Sequence, residues 1–494
     1  MSQLALRSLG NSSNMMTQAM ERLSTGKRVN SAADDAAGLG IATKLRAQVN
    51  SLNAATRNAT DALALIGTID GALEESGEIL LRMRELAVQS ASDTNTGTDR
   101  SFIQDEINAL NNELNRISSS TEFNSVKLLD GTYNNKQIQI GTGANQVFNI
   151  GVTATDSSTL GAYELESTAE ITTSAKATAA AAKTALTGML SSAADYTVKG
   201  SFGEAEIKVD AGADARDVAK SFNLSAGTTG INATAITKAQ ITKLSHATTV
   251  SFTLQGKSDT ASTVNATINS VSNLTALKDA INSVSGATGI SASLTTDLSG
   301  INLVQQDGYD ITIGDVTTTH TSGTMSVKVS DKTGATQGTE HALKGHTSTE
   351  DSISMVGQVS LSSHKAFTVT PGNAGNHFAT DASAQTSTLQ SMGAVDISSQ
   401  TGATKALSVI DGAIAMISEV RSEMGAAENR LTSTVDNLSN VSVNTQRSLT
   451  AVEDANFASE TSALTKAQIL QQAATSMLAQ ANKAKQTMLV LLQG

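Results

Sequence analysis

Apolar residues recur at three- and four-residue intervals through both ends of this 494-residue chain. One series runs Leu52, Ala55, Ala59, Ala62, Ile66, Ile69, Leu73, then Leu80, Met83 and Ala87, with Ser76 out of pattern. A second runs Ile103, Ile107, Leu110, Leu114, Ile117. Near the other end a third runs Ile410, Ala413, Ile417, Val420, Met424, Ala427, Leu431, then Leu438 and Val441. A fourth runs Ala467, Leu470, Ala474, Met477, Ala481, Ala484, Met488, Leu491. A repeat of about 3.5 residues keeps one stripe facing a partner helix, and alanine at many positions lets helices approach closely. Taken singly, each series is an amphipathic helix on its own core. Four of them, at both ends of one chain, predict a helical bundle that joins the termini.

The segment from Ala467 to Gly494 carries only two charges, Lys483 and Lys485. A helix so poor in charge is expected to bury against other chains. Gly26 reads as a helix stop. Ser31 with Asp34 three residues on reads as the cap of the next helix, and Ser92 to Thr98 reads as a turn between antiparallel helices.

Between about residues 165 and 395 the texture changes to Thr, Ser, Ala and Gly with strand-like alternation. Val218, Phe222, Asn223, Gly227, Thr229, Gly230, Ile231 and Ala233 recur 59 residues later as Leu277, Ile281, Asn282, Gly286, Thr288, Gly289, Ile290 and Ala292. Each copy reads as a short helix, a glycine turn and a strand. The fold class is therefore multi-domain, with an all-α coiled-coil or helical-bundle core formed by both termini and a mostly β central region of α+β modules. Division is expected at 1–37, 38–164 (with a β-hairpin), 165–395 (modules at about 196–255 and 256–315), 396–442 and 443–494.

Composition narrows the chemistry. With no cysteine there is no disulfide framework, thiolate metal site or cysteine nucleophile. Aromatic residues make up 3% of the chain and tryptophan is absent, so the core must be built from aliphatic side chains. A formal net charge of -12 argues against a nucleic-acid partner. No run of apolar residues is long enough to insert in a membrane, and the first residues lack the pattern of a cleaved Sec signal. All six histidines, His246, His320, His341, His346, His364 and His377, lie in the middle. The closest approach to a zinc peptidase motif, His341-Ala-Leu-Lys-Gly-His346, has no glutamate and the wrong spacing for one helical face. Asp34-Asp35 and Glu74-Glu75 read as helix surface or caps. No metal, cofactor or catalytic residue is expected, and the chain does not read as an enzyme.

The ends resemble a known family. Glu21-Arg-Leu-Ser-Thr-Gly-Lys-Arg-Val-Asn-Ser-Ala-Ala-Asp-Asp-Ala-Ala-Gly38, Arg84-Glu-Leu-Ala-Val-Gln89 and Phe123-Asn-Ser-Val-Lys-Leu-Leu129 are similar to the N-terminal signature of bacterial flagellins. Ala467-Gln-Ile-Leu-Gln-Gln472 and Leu478-Ala-Gln-Ala-Asn482 are similar to the C-terminal one. The resemblance covers roughly residues 1–150 and 395–494. It implies a structural subunit that self-assembles into the extracellular flagellar filament, secreted through the flagellar type III channel. The series from Ala467 to Leu491 would then be the self-assembly seam. Ile66, Ile69 and Leu73 with Ile417, Val420 and Met424 would be the core-domain seam. Implied partners are other copies of the chain, an export chaperone, and the cap and hook-junction proteins. The resemblance also implies recognition by the vertebrate Toll-like flagellin receptor through Arg82, Leu86, Gln89 and Glu106, the first three on one helical face. Flagellins usually begin with an Asn-Thr-Asn run that this chain lacks, which implies a shortened inner layer or a different start. A hook–filament junction protein and a surface adhesin with flagellin-like termini are the competing readings.

Overall fold

The computed structural model describes residues 2–167, 170–174, 193–258, 260–345, 351–372, 378 and 383–493. Its helices are α1 (Ser2–Thr25), α2 (Ala36–Ala91), α3 (Gly97–Ser120), α4 (Ala215–Leu224), α5 (Ala226–Thr229), α6 (Thr275–Ser283), α7 (Ser285–Thr288), α8 (Gln400–Glu453) and α9 (Phe457–Gln493). Two compact units form, one of Met1–Thr68, Asn134–Gly151 and Glu423–Gly494, the other of Ile69–Tyr133 and Val152–Ser422.

Local chemistry sets the helix ends. The cap of α2 is Asp35 and not Ser31: its Oδ1 accepts the Gly38 N–H at 2.8 Å. Asp34 instead closes a separate turn, accepting the Ser31 N–H and hydroxyl at 2.9 and 3.0 Å. A carboxylate one residue further along sits nearer the free N–H groups of the first helical turn. Thr96 and Asp99 form a reciprocal capping box at the start of α3.

In the first unit, Leu52 and Ala55 of α2 pack with Leu438 of α8. Lys136–Gln139 and Val147–Ile150 form a hairpin. The Gln139 carbonyl accepts from Asn58 Nδ2 at 2.9 Å, and the Arg430 guanidinium lies 5.1 Å from the centre of the Phe148 ring. α1 packs along α9.

In the second unit, Ile69, Leu73, Leu80, Met83 and Ala87 of α2, Ile103, Ile107, Leu114 and Ile117 of α3, and Ile410, Ala413 and Ile417 of α8 are buried. Ser76, the exception in the series, is buried as well, its hydroxyl donating to the Ala72 carbonyl at 2.8 Å, which satisfies the one polar group on the stripe. Gly77 faces the Ile417 side chain. Flanking ion pairs join Arg421 to Asp70 at 2.8 Å and Arg84 to Asp411 at 2.6 Å.

The rest of this unit is antiparallel sheet. The largest sheet runs in the order Ile290–Leu294, Ile301–Gln305, Asn232–Leu244, Gln358–Ser363, Gly161–Glu166, Thr388–Ser391. Two smaller sheets centre on Ile311–Thr318 and on Thr368–Pro371 with Ala194–Lys199. The repeated copies fold alike. α4 and α5 end at Gly230 with φ 74°, and α6 and α7 end at Gly289 with φ 70°, a left-handed conformation that favours glycine. The Asn223 amide exchanges two hydrogen bonds of 2.8 Å with the Ala233 backbone, and Asn282 does the same with Ala292 at 2.9 and 2.8 Å. Each asparagine stands in for the neighbouring strand that its partner lacks on that side. The strand Thr249–Gln255, ahead of the second copy, pairs with Ser262–Thr267.

Candidate functional site

Arg82 and Glu106 meet across α2 and α3: the guanidinium Nε and Nη2 donate to Glu106 Oε1 at 3.0 and 2.8 Å. Nη1 donates to Glu85 at 2.6 Å. Glu85 first, and then Glu106, raise the pKa of Arg82. Gln89 is exposed, but Leu86 is 1% exposed, so one face does not present all three α2 residues. Leu86 lies about 40° round the helix from Arg82, toward Met83 and Ser90, and its apolar side chain turns into that buried stripe.

The core-seam residues Ile66, Ile69, Leu73, Ile417 and Met424 are buried, and Val420 is half-buried. The α9 series divides. Ala467 and Ala474 are buried at 1% and 8%, whereas Leu470 and Met477 stand 38% and 61% exposed, with Ala481 between. Ala484, Met488 and Leu491 fall on α9, but their side chains lie outside the described residues. Among the described side chains of α1 the buried positions are Ser12 and Ala19, with Met15 and Met20 exposed. Both buried pairs are seven residues apart, the spacing of one coiled-coil stripe. Ser12 and Ala19 went unread in the sequence, where small residues at heptad spacing were the only signal.

Beside this pair the two connectors bind each other. The Arg28 N–H donates to the Glu453 carbonyl at 2.7 Å, and the Ala455 N–H donates to the Gly26 carbonyl at 2.9 Å. The Glu453 carboxylate accepts from Lys27 and Arg46, and Arg28 donates to the Val452 carbonyl at 2.8 Å. Lys27 and then Arg46 hold the Glu453 carboxyl below the usual glutamate range, while burial pushes the other way. Separation by some four hundred residues hid this cluster from sequence reading.

Comparison with known proteins now decides what this architecture is. Residues 1–134 match the bacterial flagellin N-terminal helical region, and residues 407–492 match the C-terminal helical region. The chain is 35% identical over 489 residues to the B-type flagellin of Pseudomonas aeruginosa, covering 99% of this chain and 97% of that protein. The chain belongs to the flagellin family. A flagellin of Salmonella choleraesuis is 32% identical over 520 residues, covering 100% and 98% of the two. The structure of FliC from Burkholderia pseudomallei matches 74% of this chain and 99% of that one at 16% identity, with a TM-score of 0.30. Residues 249–307 match the flagellin hook IN motif, which begins at the strand Thr249–Gln255. Flagellins are structural components of the bacterial flagellar filament, so this chain is a structural protein and not an enzyme. No helix among the described residues is long and apolar enough to cross a membrane.

Proposed function

We propose that this flagellin self-assembles through α1 and α9 into the extracellular filament used for swimming. The observation that carries the reading is the division of the α1–α9 pair: small residues fill its inside while Leu470, Met477, Ile469, Met15 and Met20 stand exposed. Two helices can cover only one stripe of each other, and these side chains suit helices of further subunits. Residues 1–37 and 443–494 would form the inner layer, 38–164 and 396–442 the core layer, and 165–395 the outer surface. Secretion through the flagellar type III channel, with an export chaperone, a cap and hook-junction proteins as partners, accompanies that role. Seeded polymerisation of the purified chain, viewed by negative-stain electron microscopy, tests it. Long tubes from the full chain and none from a chain ending at Glu460 are expected. Failure of the full chain to elongate seeds would sink the reading in favour of a junction protein.

The same reading makes the chain a ligand of the vertebrate Toll-like flagellin receptor, through the exposed Arg82, Gln89 and Glu106. Leu86 would support that surface from beneath. Arg82→Ala and Glu106→Ala should each weaken activation of a receptor reporter cell. Unchanged responses from both would end this part of the proposal.

A further inference from the structure

The largest sheet has one apolar face and one polar face. Along its central strands Ala233, Val359 and Leu361 enter the apolar core of the first repeated module. The alternate residues Thr234, Ile236, Lys238, Ser360 and Ser362 face the opposite way and line a cavity of about 590 Å³ shared with the first three turns of α8. On the helix side the lining includes Thr401, Thr404, Lys405 and Ser408. Helix-on-sheet contacts are ordinarily close-packed, and this one is not. Its lining mixes Ile236, Val304 and Leu407 with polar and charged side chains, and those polar groups need something to bond them.

Charge decides what suits it. The Lys332 ammonium is held by Glu164 at 3.1 Å and Glu166 at 2.5 Å. Glu164 also accepts from the Ser408 hydroxyl at 2.5 Å, and Asp411 is engaged by Arg84. Two cations are left. Lys238 Nζ donates to the Lys332 carbonyl at 2.7 Å and has the charge of Asp331 near it. Lys405 is half-buried, and its ammonium makes no hydrogen bond or ion pair among the described residues. Burial first, and then the charge of Lys405, hold the Lys238 ammonium below the usual lysine range, while Asp331 acts against them. Two ammonium groups that repel each other beside a hydroxyl-lined cavity are complementary to an anion with several acceptor oxygens.

We infer that this cavity is a binding site for a small oxyanion, phosphate- or carboxylate-bearing, held by Lys238 and Lys405 and by the hydroxyls of Ser360 and Ser362. Thermal unfolding of the intact chain tests it, with inorganic phosphate or succinate added against sodium chloride of equal ionic strength. At ten times its Kd the fitting anion should raise Tm by ~1–2 °C above the chloride control. Lys405→Gln should remove the rise and Lys405→Arg should keep it. A response to phosphate alone assigns the phosphate class, and a response to succinate alone assigns the carboxylate class. No rise with either anion, or an equal rise in Lys405→Gln, overturns the inference. Should Lys405→Gln not fold, the wild-type chain alone suffices: it must broaden the ³¹P line of phosphate or, for the carboxylate class, the proton lines of succinate. Narrow lines for both anions overturn the site.

Discussion

Replacing Glu453 by Gln isolates the charge that ties the two connectors together. The amide keeps the volume and one acceptor oxygen but drops the charge shared with Lys27 and Arg46. A hydrogen bond to a charged group contributes about 1.5–3 kcal/mol, and an exposed ion pair about 0.2–1 kcal/mol. Glu453 is 7% exposed, but the Lys27 and Arg46 side chains are 43% and 49% exposed. Water screens the cationic side of both contacts, so the two together stabilise the elbow by only about 1–2 kcal/mol. That is roughly a 5- to 30-fold change in a local opening equilibrium. Hydrogen exchange at the Arg28 and Ala455 amides reads it directly, because both donate across the elbow. Glu453→Gln should lower their protection by that factor at pH 7. The pH dependence follows from the lowered carboxyl pKa. Above about 4.3, the unfolded glutamate value, the carboxylate is ionised in both states and its contribution is complete. As the pH falls through the lower folded value, the contribution is lost. Wild-type and variant protection should therefore converge in acid. Equal protection at pH 7, or a gap that widens on acidification, would refute the reasoning.

Other expectations follow from the same geometry. Leu73→Ala, at a position with no exposure, should cost about 2–5 kcal/mol in urea unfolding through the cavity it leaves. Asn223→Ala and Asn282→Ala each remove two side-chain bonds to a strand backbone and should each cost about 1–2 kcal/mol. A Tm shift of either variant within error of zero would show that water replaces the amide. Met392 N–H donates to the Leu160 carbonyl at 2.8 Å, and Gly161 pairs with Ser391. Replacing residues 162–390 by Asn-Gly should therefore close the gap with a two-residue turn and leave the helical far-UV signal of the remainder intact. In α9, Leu470→Ser should leave monomer unfolding within about 0.5 kcal/mol of wild type yet halt seeded growth. Ala467→Leu should cost about 1–3 kcal/mol in the monomer itself by overpacking.

The helical seams were legible because a period near 3.5 survives any choice of partner: from Leu52 to Ala87 every residue of the first series is buried. Period alone could not separate Leu86 from Gln89, which lie on neighbouring arcs of α2. Only the packing shows that one turns inward and the other does not. The 59-residue repeat was legible for a chemical reason. Asn223 and Asn282 must pin a strand, and Gly230 and Gly289 must take positive φ, so those residue types recur while their neighbours drift. Strand order was not legible. Gln358–Ser363 lies beside Asn232–Leu244, and Thr/Ser alternation fits any neighbour equally well. The Lys27–Arg46–Glu453 cluster was hidden because no local pattern links a connector near one end to a connector near the other.

The α9 series shows where a periodic pattern stops and energetics begin. By spacing alone, Ala467, Leu470, Ala474 and Met477 form one stripe. In the α1–α9 pair the alanines are inside and the larger side chains outside, the reverse of a self-sufficient two-stranded coiled coil, where the larger apolar residues fill the seam. Alanine brings the backbones close, but burying it removes little apolar surface from water, and stabilisation scales with that surface. The pair is thus held weakly by its own contacts, with the connector bonds at Glu453 adding to them. The larger apolar area of Leu470, Met477 and Ile469 contributes nothing until another helix covers it. Under the proposed assembly, most of the hydrophobic stabilisation of these helices is deferred to the covering of that area by further subunits.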